Sequence, residues 1–185
     1  MPHSFSAVAI AMILTVTLAT DVAAETWIVD ADKSNLGYEI LIGGASATGT
    51  FQTWTADIRF DPLRPEEATV EVDIDMMSVS ISDPRAESGI GGAAWLNIDA
   101  IPNAVFSATG FDFSTDTEFS IPGMLILRGV ARPVTLSGTL EIDGDFATVS
   151  ATATFNREIF DIGVGQDAVG KDVRVIIDLV AERGD

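Results

Sequence analysis

The sequence lacks cysteine altogether, and its one histidine, His3, stands at the very start of the chain. Without cysteine there is no disulfide and no thiol nucleophile, and a lipoprotein anchored through an N-terminal cysteine is excluded. Without a later histidine, the Ser-His and Cys-His nucleophile pairs and the common zinc, copper and haem ligand sets are excluded as well. Carboxylates are the catalytic groups that remain, so we expect no metal site and no resident cofactor.

Basic residues are also scarce. The chain of 185 residues holds 10 lysines and arginines against 28 aspartates and glutamates, and only Lys33 and Lys171 are lysines. The net charge of −18 repels nucleic acid and anionic lipid headgroups. We therefore expect no nucleic acid partner, and a contact with membranes that is transient rather than sustained.

The first 24 residues have the pattern of a secretory signal peptide. The run from Ala7 to Thr20 is apolar, yet shorter than the stretch of about 20 residues that spans a bilayer. The small residues of Val22-Ala23-Ala24 offer a cleavage site before Glu25. We expect an exported protein whose mature chain begins near Glu25 and forms one domain over residues 25–185. An uncleaved N-terminal anchor is the alternative, because the usual basic start is missing.

Alternation of apolar and polar residues predicts about eight or nine strands, mostly in hairpin order. The exception is a helical excursion over residues 83–99, where Asp83 supplies an N-cap and Pro84 begins a short helix reaching about Ala94. The long strand Thr48–Asp61 is expected to bend, because its two halves are out of phase. The predicted strands are Thr26–Asp30, Leu36–Ile42, Thr48–Asp61, Thr69–Met77, Ala104–Phe113, Glu118–Arg128, Arg132–Ile142, Ala147–Phe155 and Asp172–Glu182.

These strands predict an all-β fold, an antiparallel barrel of about eight strands. A flat sandwich is the competing architecture, and periodicity alone does not separate the two. The inward face of Ala147–Phe155 consists mostly of alanine and valine. Such small side chains either leave unfilled volume inside the barrel or suit a tightly coiled, filled one.

Five motifs, in order, carry a resemblance to a known family. They are Trp27-Ile28-Val29-Asp30 with Ser34, the stretch Gly49–Pro62, Trp95-Leu96 with Ile101–Phe106, the hairpin Gly123–Val134, and Phe155–Gly163, which matches the family signature only in its second half, Arg157–Gly163. Over residues 26–183 the chain resembles the YceI-like polyisoprenoid-binding family of periplasmic proteins. One departure is the segment 88–94, which is richer in glycine and alanine than the family pattern. It predicts a shorter or looser helix and leaves open whether ligand choice changes.

The resemblance implies a lipocalin-like barrel that holds a long isoprenoid chain, such as a quinone tail or a polyprenyl lipid, in an apolar tunnel. For each apolar candidate, plain core packing is the alternative to contact with the lipid. The candidates for the tunnel wall are Tyr38, Ile40, Phe51, Trp54, Val72, Ile74, Met76, Trp95, Phe106, Met124, Ile126, Leu136, Ala151, Ala153, Phe155, Val175 and Ile177.

Polar groups at the mouth of such a tunnel would contact a headgroup. Ser78, Arg128 and Arg157 are the candidates, with structural roles as the alternative, for the arginines an ion pair to a nearby carboxylate. Asp73 and Asp75 form an Asp-x-Asp pair that suits calcium, although their strand parity favours a solvated face.

Two other functions remain open at this point. A filled barrel would serve as a structural or stress-response interaction module, and would differ from a carrier by lacking an apolar cavity. A carboxylate-dependent hydrolase would need two carboxyl groups facing one cavity. A homodimer is compatible with either reading.

Overall fold

The computed structural model describes residues 24–184, which form twelve strands and one α-helix. The predicted signal peptide, residues 1–24, lies outside the described residues except for Ala24. The strands are β1 (Thr26–Val29), β2 (Asn35–Ile42), β3 (Ala45–Phe51), β4 (Trp54–Arg59), β5 (Thr69–Asp75), β6 (Val79–Ile81), β7 (Asn103–Thr109), β8 (Asp112–Phe113), β9 (Glu118–Leu127), β10 (Val130–Asp143), β11 (Phe146–Asn156) and β12 (Asp172–Arg183), and the helix is α1 (Pro84–Glu87).

The strands close into an eight-stranded antiparallel barrel, which confirms the predicted fold class and excludes the sandwich. Strand order around the barrel is β1-β4-β5-β7-β9-β10-β11-β12, and β12 pairs back with β1 through Trp27 opposite Arg183. The Trp27 indole Nε1 donates a hydrogen bond to the Phe60 carbonyl at 3.1 Å, and the Arg183 guanidinium lies over its ring. Closure leaves these strands without a free edge at this end.

Three barrel positions are each occupied by two consecutive strands with a break between them. The strand predicted over Thr48–Asp61 is β3 followed by β4, and Gln52 and Thr53, which belong to neither strand, hydrogen-bond to Ser78 and Asp75 at the break. In the same way β1 continues as β2 along β12, and β5 continues as β6. The predicted bend between the two halves is therefore confirmed, between Phe51 and Trp54, but it divides the stretch into two strands instead of bending one, since β3 pairs with β2 and β6 whereas β4 pairs with β1 and β5.

The break between β1 and β2 explains the motif at residues 27–34. The Asp30 carboxylate accepts a hydrogen bond from the Asp32 backbone and caps a 3-10 turn over Ala31–Lys33. The Ser34 hydroxyl then accepts a hydrogen bond from the Val180 N–H at 3.0 Å, at the point where the pairing of β12 changes from β2 to β1. Side chains thus replace the strand hydrogen bonds that the break removes.

The helical excursion is shorter than predicted. Helix α1 has four residues, capped by the Asp83 carboxylate as expected, and the rest of the connection to β7 is irregular. Gly89, Gly91 and Gly92 follow the helix directly, and glycine is among the least favourable residues in a helix interior. The extension of the helix to Ala94 was therefore wrong.

The two ends of the barrel differ. The closed end carries both ends of the described chain and is filled by phenylalanine side chains: the ring centroids of Phe60 and Phe111 lie 5.2 Å apart and those of Phe111 and Phe119 lie 5.0 Å apart. The other end, the mouth, carries the β2–β3 turn, the β9–β10 turn and the connections 82–102 and 157–171. At the mouth β6 pairs with β3, and the register shows no pairing of β6 with β7 among the described residues. The connection 82–102 spans this gap.

Candidate functional site

An apolar cavity of about 550 Å³ occupies the mouth half of the barrel. Its volume lies within the range of about 300–1,000 Å³ that is usual for ligand sites. The wall is built by inward-facing residues of β2, β5, β7, β9, β10, β11 and β12, and the connections 82–102 and 157–171 surround its entrance. Alternation along each strand is what places these apolar side chains on one face.

A second cavity of about 100 Å³ lies deeper, against the phenylalanines of the closed end. Four residues line both cavities and form a waist between them: Leu36, Val72, Leu136 and Ile177. The two cavities are therefore adjacent compartments of one apolar interior, called the passage below, which is wide near the mouth and narrow toward the closed end.

Most of the predicted wall residues face this passage. Whether they contact a lipid stays a prediction, but their position is clear. The larger cavity is lined by Tyr38, Ile40, Phe51, Val72, Ile74, Met76, Trp95, Phe106, Leu136, Ala153, Phe155, Val175 and Ile177. Trp54 and Ala151 lie deeper and line only the smaller cavity.

Met124 and Ile126 do not face the interior, and their prediction as wall residues was wrong. Each is 41% exposed, on the outer face of β9. Leu125 pairs across the strands with Phe106, and both are buried on the inward face. Because β9 is apolar at each position from Met124 to Leu127, its sequence contains no alternation that would fix which residues point inward.

Arg157 lines the larger cavity, but its guanidinium is fully engaged with the protein. It is 1% exposed and donates five hydrogen bonds, to the carbonyls of Ile162, Gly163, Gln166, Val169 and Gly170. These are all the N–H groups of an arginine side chain. Arg157 therefore folds the loop 162–170 around itself instead of pairing with a carboxylate.

The same loop is held from the other side by Trp95. The Arg157 guanidinium lies 5.5 Å from the centroid of the Trp95 ring. Gly163 has a φ of +54° and lies so close that a Cβ there would clash with the indole. Glycine is required at this position by both its backbone conformation and its contact. The motif Arg157–Gly163 thus shapes one side of the mouth.

Ser78 and Arg128, the other headgroup candidates, lie outside the cavity lining. The Ser78 hydroxyl donates to the Asp75 carbonyl at 2.7 Å and accepts from the Thr53 N–H at 3.0 Å. It thereby connects the break between β5 and β6 with the break between β3 and β4. The Arg128 guanidinium donates to the carbonyls of Asp161 and Ala93 and ties the β9–β10 turn to both mouth connections. Their visible contacts are structural, so a headgroup role stays a prediction for both.

The polar groups that do line the mouth are Asp83 and Arg85, which sequence reasoning treated only as the start of the helix. The Arg85 side chain, 89% exposed, pairs with the Asp83 carboxylate at 3.1 Å. Hydrogen bonds from the Arg85 side chain and backbone hold the pKa of Asp83 below its usual range.

Sequence reasoning also missed some apolar residues of the cavity wall. Strand alternation could have added Leu36, Ile42, Val134 and Val173 to the wall. Ile90 and Val169, in irregular segments, had no such signal.

The described residues offer no cluster of histidine, cysteine, aspartate or glutamate that could hold a metal ion. Asp73 is exposed, and the Asp75 carboxylate caps the turn at Met76–Ser78 by accepting from the Met77 N–H. Within residues 24–184, no helix has the length and apolar character needed to cross a membrane.

Comparison with known proteins agrees with this architecture. A UPF0312 protein of Pseudomonas putida (strain F1) is 26% identical over 162 residues, which cover 84% of this chain and 81% of the relative. Burkholderia cenocepacia BcnA has a similar structure, with a TM-score of 0.77 and 23% identity over 82% of this chain and 98% of BcnA. A polyisoprenoid binding domain from Saccharophagus degradans aligns with a TM-score of 0.67 and 13% identity, over 88% and 99% of the two chains. At these identities the two structures establish a shared fold.

The family assignment rests on the sequence profile of the whole barrel. The YceI-like domain model matches residues 27–181, from the closing strand β1 nearly to the end of β12. The chain therefore belongs to the YceI-like domain family.

Proposed function

We propose that the protein is an exported, non-catalytic carrier that holds the chain of a long isoprenoid lipid, such as a quinone tail or a polyprenyl lipid, in the barrel. The observation that carries the proposal is the apolar passage, with a cavity of about 550 Å³ opening at the mouth and narrowing into one of about 100 Å³. The Saccharophagus degradans domain of the same fold is a polyisoprenoid binding domain, which supports the same class of ligand here.

The energetics suit a carrier. Burying each CH₂ group of a lipid in the passage stabilises it by about 0.8 kcal/mol relative to water. A bilayer offers the same apolar contacts, so transfer from membrane to protein is nearly neutral in free energy. A nearly neutral transfer lets the protein both load and release its ligand. The polar groups Asp83 and Arg85 at the mouth are placed to meet a headgroup.

The alternatives are weaker on this structure. A filled barrel has no space for a ligand, whereas this barrel is filled only at its closed end. A hydrolase acting through paired carboxylates needs two of them at one cavity. In the part of the chain that the structure describes, Asp83 is the one carboxylate residue that lines the apolar cavity of about 550 Å³, and Asp57 and Glu71, which share a groove of about 600 Å³, are both exposed on the outer face of the sheet.

Native mass spectrometry of the protein purified from the periplasm of its own host tests the proposal. The expected result is a mature chain beginning at or next to Glu25 with a noncovalent isoprenoid lipid bound. A chain that retains residues 1–24 would reject the soluble periplasmic location. A mature protein that never carries lipid, and does not take up an isoprenoid from detergent micelles, would reject the carrier function and favour the interaction module.

A further inference from the structure

Three segments that border the mouth contain no charged residue, in a chain with 38 charged residues among 185. These segments are residues 40–51, 88–98 and 162–166, and together they are called the mouth rim below. Charged residues make up 21% of the whole chain. The lack of any charged residue in these three segments therefore sets them apart from the rest of the sequence.

The three segments are held against each other by backbone hydrogen bonds. The Gly163 N–H donates to the Ala94 carbonyl at 2.8 Å, which joins the second and third segments. The Gly170 N–H donates to the Leu41 carbonyl at 2.7 Å and the Gly43 N–H to the Ala168 carbonyl at 2.7 Å, which join the loop 162–170 to the β2–β3 hairpin. Segment 88–98 therefore contacts segment 162–166 directly, and segment 40–51 contacts the continuation of that loop at residues 168–170.

Apolar side chains stand exposed on this surface. Val164 is 62% exposed and Leu41 is 50% exposed, and between them the rim presents mainly glycine and alanine, including exposed Ala93 and Ala94. Small side chains let the backbone of the rim approach a flat surface closely. Isolated apolar side chains are common on protein surfaces, so it is their grouping around the cavity entrance that carries weight.

The net negative charge of the protein is greater at the closed end than at the mouth. At the closed end, segments 24–25, 60–68, 110–118, 141–145 and 182–184 contain 11 acidic and 2 basic residues. At the mouth, the charged parts of segments 82–102, 128–132 and 156–172 contain 7 acidic and 5 basic residues. A negatively charged membrane surface therefore repels the closed end more strongly than the mouth and turns the mouth toward the bilayer.

We propose that the mouth rim is the surface that docks on a lipid bilayer, with the closed end facing away, so that the ligand chain passes between bilayer and cavity without crossing water. This inference rests on the carrier function proposed above and specifies its partner surface. The docking is weak and brief, because few apolar side chains are exposed and no basic cluster on the rim binds anionic headgroups.

The absence of cysteine from the sequence makes a direct test possible. Val164→Cys on the mouth rim and Phe146→Cys at the closed end, where Phe146 is 54% exposed, each give one site for an environment-sensitive dye. With phosphatidylcholine vesicles, the dye at residue 164 should brighten by about twofold as it enters the interface, and the dye at residue 146 should not change. Equal responses at both sites, or none at residue 164, would overturn the proposal.

A transfer assay tests the consequence for function. Val164→Asp and Phe146→Asp introduce the same charge at similarly exposed positions. Val164→Asp should slow the transfer of a fluorescent polyprenyl lipid from vesicles to the protein about tenfold, because a carboxylate resists entry into the bilayer interface, whereas Phe146→Asp should leave the rate unchanged. Equal rates for both variants would refute the docking surface.

Loading from detergent micelles separates the two proposals. If the wild-type protein takes up the lipid from micelles and Val164→Asp slows only transfer from vesicles, both proposals hold. If no lipid is taken up from micelles, the carrier function itself fails. A dye response that follows protein concentration without vesicles would assign the rim to a second copy of the chain and overturn docking on lipid.

Discussion

The hydroxyl of Tyr38 on β2 donates a hydrogen bond of 2.9 Å to the carbonyl of Ser80 on β6, across the intervening strand β3. The bond thereby anchors β6, the strand that borders the gap between β6 and β7. Tyr38 also lines the larger cavity and packs against the Phe51 ring at a centroid distance of 5.5 Å. The only tyrosine of the chain thus belongs both to the wall of the site and to the support of its open edge.

The burial of Tyr38 predicts a pH dependence of stability. Burial raises the pKa of Tyr38, and the nearby Glu87 carboxylate raises it further. The folded protein therefore keeps a proton that the unfolded chain releases above about pH 10, so stability is full below that pH and falls as the pH rises. Tyr38→Phe should remove this alkaline loss while costing about 0.5–1.5 kcal/mol at neutral pH.

Urea unfolding of both proteins at about pH 8 and about pH 11 measures the difference. Lys33 and Lys171, whose pKa values are raised by ion pairs, contribute equally to both proteins and cancel in the comparison. Ultraviolet absorbance follows the phenol directly, since there is one tyrosine. Ionisation of the folded wild type near the ordinary tyrosine pKa would contradict the prediction.

Two alanines on the same face of β11 give a matched test of the cavity. Ala153 lines the larger cavity, so Ala153→Leu should displace lipid while the lipid-free protein stays as stable as wild type or gains stability. Ala151 instead lines only the smaller cavity of about 100 Å³, on a strand so close to its neighbour that a Cβ at Gly138 would clash with it. Ala151→Leu therefore has much less space than Ala153→Leu and should overpack, losing about 1–3 kcal/mol. Bound lipid by mass spectrometry and the melting temperature of delipidated protein decide the outcome. Equal destabilisation by both changes would indicate a solid interior.

Arg157 should be irreplaceable by lysine. An ammonium group has three donors and no planar fork, so it cannot satisfy the five carbonyls that the guanidinium holds. We expect Arg157→Lys to lower the free energy of unfolding by about 3 kcal/mol or more, because buried carbonyls lose their partners. Limited proteolysis should then cut within residues 162–170. Arg132→Lys, at an exposed residue, is the control and should change neither measurement.

The phenylalanines of the closed end should set how far a ligand chain reaches. Phe111 lines the smaller cavity and contacts Phe60 and Phe119. Phe111→Ala should enlarge this cavity and shift the bound lipids toward longer chains. Because Phe111 is only half-buried, the free energy of unfolding should fall by no more than about 3–5 kcal/mol. Mass spectrometry of lipids taken up from a mixture of chain lengths measures the shift. An unchanged distribution would mean that ligands stop at the waist.

Strand alternation was sufficient to predict most of the barrel wall. Val72, Ile74 and Met76 alternate with acidic residues, and each of them faces the cavity. The prediction failed where the alternation disappears, as at Met124 and Ile126, because only cross-strand pairing decides which side of an apolar run is inside. The phase change between Phe51 and Trp54 indicated a bend, but it could not show that the strand is divided there, since a change of pairing partner depends on neighbours that are distant in the sequence.

The polar contacts of the mouth were beyond sequence reasoning for a different reason. An arginine among apolar strands suggests an ion pair, but Arg157 is satisfied by five backbone carbonyls of one loop. Backbone carbonyls occur at every residue and leave no mark on the sequence. The waist at Leu136 and Ile177 was equally hidden, because it depends on how tightly the strands coil.

The pairing of the last strand with the first two has a consequence for how the chain folds. Strand β12 contacts β1 near residue 183 and β2 near residue 174, so the barrel wall is incomplete until nearly the whole chain is available. Contacts between residues so distant in sequence form slowly. We therefore expect the chain to stay unfolded while it is still being synthesised, with closure delayed until its C-terminal residues are free. Trimming β12 should then abolish folding altogether instead of merely weakening one edge.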